Sequence, residues 1–534
     1  MKDHRSHYIK NLLLPCLVFS TVTGVFSALL IAGFKLAATA VIGLSERIYA
    51  FVRLNSLWLP ALIFGAVIIG FLASLILTFS HSCRGGGIPT SIAAIRGITG
   101  FKWLKSAFVL PVSALLTFLC GIPLGTEGPC VQMGTAIGDG AVKLFGGKKH
   151  SGWRRYMMTG GASAGFSLAT GAPITAILFS MEEIHRRFSP LLFVVASLTV
   201  GVSQVTAHLL SYMGVGSLAL FHVESLATLS FNRIYIPVAV GCVCGICSVL
   251  FIHLYNFTDK LVRKWLGKIS VKIKFPIIFG LVAIVGFFFA KILGTGHGLV
   301  DHLIVDHLFE TETFWYLLTI IFVVRALFMM VSNTTGITGG IFLPTLAFGA
   351  ILGALCAEAF IALGVVGEEN YVLLVVMGMT AFLGASSRIP VTACVFAIEA
   401  LAGVHNILFV IIAVTSAFIC VEISGLDDFT DTVIKAKAHA IHKGKEPHII
   451  EAPLTVCKDS FVVDKEQKDI LWPAACVVLS TEKRSDRHGK LGMSEGDVVT
   501  VHYKTYDPIA TAEEFEILVG DQCEEVDRLM RPEK

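Results

Sequence analysis

Glu127 is the residue whose setting most invites chemistry. It stands in Gly125-Thr126-Glu127-Gly128-Pro129, directly after the apolar run 108–124. A carboxylate at membrane depth is costly and usually marks an ion path or a proton relay. Two further segments place glycine beside proline ahead of an apolar stretch: Gly85-Gly86-Gly87-Ile88-Pro89 and Gly339-Gly340-Ile341-Phe342-Leu343-Pro344. Proline is favoured in the first turn of a helix, where its missing N–H would be unpaired anyway. Glycine lets the preceding chain turn tightly and exposes its amides. Each segment therefore reads as a helix start, which carries free N–H donors and roughly half a positive charge. Several such ends converging would hold a dehydrated anion without a full lysine or arginine charge, and so permit fast release. An ionised Glu127 would compete for the same place, which makes it gate and proton acceptor in one group. The other reading is a carboxylate that caps its helix or pairs with a cation.

Glu182 and Glu183 end another apolar stretch and precede His185, Arg186 and Arg187. The basic residues put this end at the cytoplasmic face, where one of the two carboxylates can take protons. Acids beside arginine also form ordinary solvated ion pairs, and the residues alone leave both readings open. Glu399, at the matching place in a repeat described below, reads as structural. Cys242, Cys244 and Cys247 lie in an apolar run with no histidine or second pair, so they read as small buried thiols rather than a metal site. His81, His208, His297 and His302 lack a G-x-S-x-G or H-E-x-x-H context, which leaves an intramembrane hydrolase without its machinery. No enzyme activity, cofactor or metal is expected.

The elements that must position these residues are membrane helices. Of 534 residues 54% are hydrophobic and only 15% charged, and the mean hydropathy is +0.75. An average soluble chain carries about 25% charged residues, so a soluble enzyme, a disordered chain and a nucleic-acid binder are excluded. Apolar runs at 12–33, 57–78, 108–124, 191–210, 236–254, 277–290, 315–331, 341–363, 371–383 and 407–421 are the clearest. Several are long enough for the ~20 residues a span requires. Others are short or broken by glycine and proline, which is tolerated only where freed backbone groups face protein or a wet cavity. The N-terminal apolar stretch is too long for a signal core, and Lys35 precedes its would-be cleavage motif, so it reads as a first membrane helix.

Charge divides the chain. Residues 425–534 hold 15 Lys and Arg against 22 Asp and Glu, a net of −7; the first 424 hold 27 against 17, a net of +10. This step marks a membrane body followed by an acidic soluble tail. The segment 256–274, with six basic residues against Asp259, is expected to be a cytoplasmic loop, and both termini are expected on that side of the cell membrane.

The body is duplicated. Pro173, Thr175, Ala176, Phe179 and Glu182 match Pro390, Thr392, Ala393, Phe396 and Glu399 at an offset of 217. Gly125, Pro129, Gly134 and Gly138 match Gly340, Pro344, Gly349 and Gly353 at 215. Transporters built this way place substrate at the repeat interface, near the mid-plane, among interrupted helices.

These segments, their order and their duplication resemble the CLC family of chloride channels and anion/proton antiporters, over about residues 10–440. Residues 85–89 look like that family's G-S-G-I-P, 125–129 like G-[KR]-E-G-P, and 339–344 like G-x-F-x-P. The resemblance implies an all-α polytopic membrane protein, a homodimer with one anion pathway per subunit. It implies about 17 or 18 helices per subunit, in two halves of inverted topology. It implies an anion site at Gly86, Gly87, Ile88, Thr126, Glu127, Gly128, Ile341 and Phe342, gated by Glu127. It also implies proton transfer between Glu127 and Glu183, where channel members carry an apolar residue. Three positions depart from the pattern. Gly86 replaces a serine, Thr126 replaces a basic residue, and Phe429 or Thr430 stands where an anion-coordinating tyrosine is expected. Some family members altered at the serine and tyrosine handle fluoride or couple protons loosely.

The expected organisation is a transport domain over 1–430, with halves at about 10–255 and 275–430. A linker over 431–452 and a small cytoplasmic α+β domain over 453–534 follow. In the tail, 475–480 and 497–504 read as strands, and Gly496-Asp497-Val498-Val499 faintly resembles the C-terminal ligand-binding domain of potassium-channel regulators. A solubilising or dimer-supporting role is the alternative. The expected function is proton-coupled antiport of chloride or fluoride, with protons, small anions and lipid as partners and no nucleic acid. A passive voltage- or pH-gated chloride channel of the same fold is the alternative.

Overall fold

The computed structural model describes residues 12–85, 87–213, 221, 226–305, 314–401, 403–442, 446–458, 460–473, 475–483 and 492–520. Among these, eight α-helices are followed by eight more in the same order. The first eight are α1 (Leu14–Leu54), α2 (Leu59–Ile76), α3 (Ile88–Ile95), α4 (Trp103–Leu119), α5 (Glu127–Phe145), α6 (Arg154–Thr170), α7 (Pro173–Phe179) and α8 (Pro190–Tyr212). Their counterparts are α9 (Tyr235–Leu266), α10 (Val271–Phe288), α11 (His297–Val305), α12 (Phe314–Thr335), α13 (Phe342–Ala362), α14 (Tyr371–Ser386), α15 (Pro390–Ala400) and α16 (Ile407–Ser424). From α5 and α13 onward the paired helices start 215, 217, 217 and 217 residues apart. A seventeenth helix, α17 (Phe429–Ile441), leads to the tail. Nine helical segments among the described residues are long and apolar enough to cross a membrane.

The two halves repeat each other's packing as well as their order. A Cβ on Gly134 would overlap the carbonyl of Gly161, and one on Gly349 would lie 2.5 Å from that of Gly378. So α5 crosses α6, and α13 crosses α14, at glycine pairs where the backbones touch. Lipid supplies no hydrophobic drive between helices, and close packing of small residues supplies the association.

The halves are also clasped together. Glu182 accepts hydrogen bonds from Val391 N (3.0 Å), Thr392 N (2.7 Å) and the Thr392 hydroxyl (2.6 Å). Glu399 accepts the mirror set, from Ile174 N (2.8 Å), Thr175 N (2.7 Å) and the Thr175 hydroxyl (2.6 Å). Each carboxylate caps the helix start of the other repeat, which satisfies donors that α7 and α15 cannot satisfy themselves.

Two expected boundaries are corrected. The helix correspondence places the join of the halves before α9, within 213–234, and not in the basic segment 256–274. Much of that segment belongs to α9, with Arg263 paired to Asp259 one turn away at 2.9 Å. Basic residues in the last turns of a helix suit its negative end, so a charge run there imitates a loop. The expected linker over 431–452 holds most of α17 and the first strand. Asp428 caps α17 by accepting from Asp431 N at 2.7 Å, and Val433 and Ile434 are buried against the body.

The tail is a three-stranded antiparallel sheet with a helix against it. Strands β1 (His448–Thr455), β2 (Cys476–Glu482) and β3 (Val498–Thr505) lie in the order β1-β3-β2. Helix α18 (Pro508–Val519) closes a small core that includes Leu454, Val501, Tyr503 and Phe515. The tail is seated on the body: Trp153, Tyr156, Phe461 and Leu471 share one apolar cluster.

Candidate functional site

The three glycine segments meet. Gly125 and Gly340, repeat partners, exchange backbone hydrogen bonds in both directions at 2.7 Å. A Cβ on Gly128 would stand 2.6 Å from Gly340 Cα and 2.9 Å from Gly87 Cα. Gly87 takes φ +138°, a conformation open to glycine, and is the cap residue of α3. The starts of α3, α5 and α13 therefore come to one place, each bringing first-turn amides that have no partner within their own helix.

Glu127 is the first residue of α5 and is wholly buried. Its Oε1 accepts from the Thr126 hydroxyl at 3.0 Å. Its Oε2 is shielded from solvent, has no hydrogen-bond partner among the described residues, and lies where a Cβ on Gly125 would be. The carboxylate thus folds back over the glycine turn that begins its own helix. An oxygen left unpaired in a dry site is expensive, so this group is poised for a proton or for displacement.

Most of the anticipated anion-binding residues are assembled here. Ile88, Thr126, Glu127, Gly128, Ile341 and Phe342 all sit in the first turn or cap of the three helices. Gly86 lies outside the described residues. Gly87 is a correction: its N–H donates to Gln132 Oε1 at 2.9 Å, and the Gln132 amide in turn donates to Ser82 O at 2.9 Å. That amide is spent on bracing the turn and is not open to an anion.

Glu183 sits apart, in a π-helical turn over Ser180–His185 that continues α7. Such turns recur at functional sites. Its Oε1 accepts from the Thr430 hydroxyl at 2.6 Å, and its backbone carbonyl accepts from Arg96 at 3.1 Å. The neighbouring Glu182 is fully used as the cap described above, so the two adjacent acids are distinguished by their partners. Phe342, Phe166 and Phe179 form a ring contact series, at 4.9 Å and 4.6 Å, from the start of α13 to the end of α7. Of the two candidates for the missing tyrosine, Phe429 is buried against Tyr255 with ring centroids 4.6 Å apart, and Thr430 turns to Glu183.

Two lysines flank the site and escaped the sequence reading. Lys35 of α1 donates to the carbonyls of Leu168 (3.1 Å) and Ala169 (3.3 Å) at the end of α6. With Thr126 and His297 it lines a cavity of about 610 Å³. Lys437 of α17 donates to Thr90 Oγ1 and to the carbonyls of Arg84 (3.3 Å) and Gly85 (3.4 Å), beside the first turn of α3. Fixed charge is therefore present around the helix ends, although the crossing itself is backbone. Lys35 had one legible signal, a basic residue inside an apolar run.

Known proteins share this architecture. The H+/Cl− exchange transporter ClcA of Citrobacter koseri is 28% identical over 429 residues, covering 79% of this chain and 88% of that protein. The ClcA of Klebsiella pneumoniae is 27% identical over 382 residues, covering 71% and 79%. The structure of a slow cyanobacterial Cl−/H+ antiporter superposes with a TM-score of 0.71 at 21% identity, covering 79% of this chain and 98% of that one. A CLC-type fluoride/proton antiporter gives 0.62 at 19% identity, covering 76% and 95%. With the voltage gated chloride channel model matching residues 64–422, more than half its length, the chain belongs to the voltage gated chloride channel, or CLC, family.

Proposed function

We propose that this protein is a proton-coupled antiporter of a small halide, chloride or fluoride, in the cell membrane. The observation that carries this reading is the buried Glu127 carboxylate, half unpaired, at the meeting of three helix starts. Anion enters among the amides of Ile88, Gly128, Ile341 and Phe342, and Thr126 lines the approach from the cavity that holds Lys35. Glu127 is displaced, takes a proton and swings out. The proton then travels by water to Glu183, which the Thr430 hydroxyl holds in place. The relatives named as H+/Cl− exchange transporters support the pairing of anion with proton. We read the assembly as a homodimer with one pathway per subunit, and both termini as cytoplasmic.

The test is purified protein in liposomes, with chloride, fluoride and nitrate gradients and a pH readout. Wild type is expected to move protons against the anion flow. Glu127→Gln is expected to keep anion flux and to lose proton movement altogether; proton pumping that survives in this variant refutes the scheme.

One observation favours a second reading, a passive channel. Phe429 offers no phenol at the start of α17, so the inner side of the site lacks a side-chain donor there. A reversal potential that ignores an imposed pH gradient would select this alternative.

A further inference from the structure

A second, unassigned site lies where the tail meets the body. A cavity of about 410 Å³ is walled by the end of α3, the start of α6, the π-helical turn and, from the tail, Leu471, Trp472, Pro473, Ala475 and Cys476. Among the described residues its lining contains Arg96, Arg155, Arg187 and His185, and no carboxylate. We propose that this cavity binds a phosphate oxyanion, carried by a small phosphorylated solute or by a lipid headgroup, and that the bound anion ties the tail to the transport body.

The arginines around this cavity are unequally matched. Arg155 is paired with Glu514 at 2.5 Å and also donates to the carbonyls of Leu471 (3.1 Å) and Trp472 (2.6 Å). Arg96 pairs with Asp431 at 3.3 Å, but Asp431 is shared with Arg186 at 2.8 Å. Arg187 is exposed and has no ion pair among the described residues; its side chain makes one hydrogen bond, to Ile470 O at 2.7 Å. A guanidinium carries five N–H donors in a planar fork suited to phosphate, so Arg187 brings most of its donors unspent. The volume is in the range of small-molecule sites and is too small for a folded partner. Position gives the consequence. Arg96 donates to the carbonyls of Ile184 (3.0 Å) and Glu183 (3.1 Å), so one wall of the cavity is the turn that carries Glu183.

The site goes beyond the transport reading and is tested by binding, which does not depend on it. The full chain, purified in detergent without phospholipid, is titrated with inorganic pyrophosphate and with glycerol 3-phosphate. Calorimetry and thermal unfolding are read at constant ionic strength against chloride. Both probes are expected to bind and to raise the melting temperature. Arg187→Gln is expected to weaken binding about tenfold. Arg187→Lys, which keeps the charge and loses the planar fork, is expected to weaken it by a smaller factor. In nanodiscs, phosphatidylglycerol and phosphatidylcholine discs form the lipid arm. If the soluble probes fail but phosphatidylglycerol stabilises the protein through Arg187, the oxyanion is a headgroup and the site stands. If no probe in the millimolar range binds and phosphatidylglycerol has no effect, or if Arg187→Gln behaves as wild type, the site is overturned.

Discussion

The crossing of the glycine turns and the junction of tail and body solve charge in opposite ways. At the crossing, three glycine turns bring backbone to backbone, and the one ionisable group among them, Glu127, keeps an oxygen unpaired. At the junction, Arg96, Arg155, Arg186 and Arg187 are laced to Asp428, Asp431, Glu514 and a series of carbonyls. Backbone dipoles hold an ion without trapping it; side-chain ion pairs hold structure. The crossing should then be intolerant of volume and the junction intolerant of lost charge.

Gly128→Ala is the strongest way to break that contrast. Its methyl would stand 2.6 Å from Gly340 Cα and 2.9 Å from Gly87 Cα, both backbone atoms that cannot turn aside. Overpacking of this kind costs about 1–3 kcal/mol, and here the displaced atoms belong to the turns that bring the three helix starts together. Halide turnover in liposomes is expected to fall by at least about tenfold, while Gly43→Ala, which meets nothing within 4 Å, leaves it unchanged. Turnover that survives Gly128→Ala would mean that the glycines serve chain economy and not the ion.

The adjacent acids sharpen the contrast at smaller amplitude. Glu183→Gln keeps shape and the Thr430 hydrogen bond but cannot carry a proton. It is expected to slow proton flux several-fold more than anion flux, with the melting temperature held. Glu182→Ala strips the cap from α15 and leaves Val391 and Thr392 amides without their acceptor. It is expected to cost about 1–3 kcal/mol of stability while the proton-to-anion ratio stays put, and Glu399→Ala should do the same through α7. Equal shifts of the transport ratio in Glu182→Ala and Glu183→Gln would erase the division of labour.

What could be read ahead of the structure follows from range. Glycine beside proline, and a motif recurring at a constant offset, are local or periodic, so three helix starts and two halves were legible from composition and spacing alone. Contacts between distant residues leave no such mark. Nothing near Gly87 announces that Gln132 takes its N–H, and nothing near Glu183 announces Thr430, 247 residues along the chain. Charge runs misled in both directions. The basic stretch that reads as a loop lies largely on α9, and the polar stretch that reads as a linker is divided between α17 and the start of β1; a helix that exposes one face and buries the other looks polar in composition. Glu182 and Glu183 look alike in sequence and part only through partners from the other repeat and from α17.

The smallest effect tests whether the junction answers to pH. Lys465 of the tail lies 3.8 Å from the Phe461 ring centroid and 6.0 Å from that of Trp153, the body residue on which the tail rests. Burial pushes its ammonium down to about 8 from the usual 10.5, and the charges of Asp464 and Asp469 offset only part of that. A lysine depressed in the folded state binds fewer protons there than in the unfolded chain, so stability rises with pH between the two values. Below about pH 8 both states carry the charge, and the burial cost is present in full. The melting temperature of the wild type is therefore expected to climb by a few degrees relative to Lys465→Met as pH goes from 8 toward 10. Lys465→Met itself should be the more stable protein at pH 7, because its thioether fills the same space between the rings without a charge to desolvate. If the two curves run parallel across that window, the ammonium is solvated, and the seat of the tail on Trp153 is looser than the ring contacts imply.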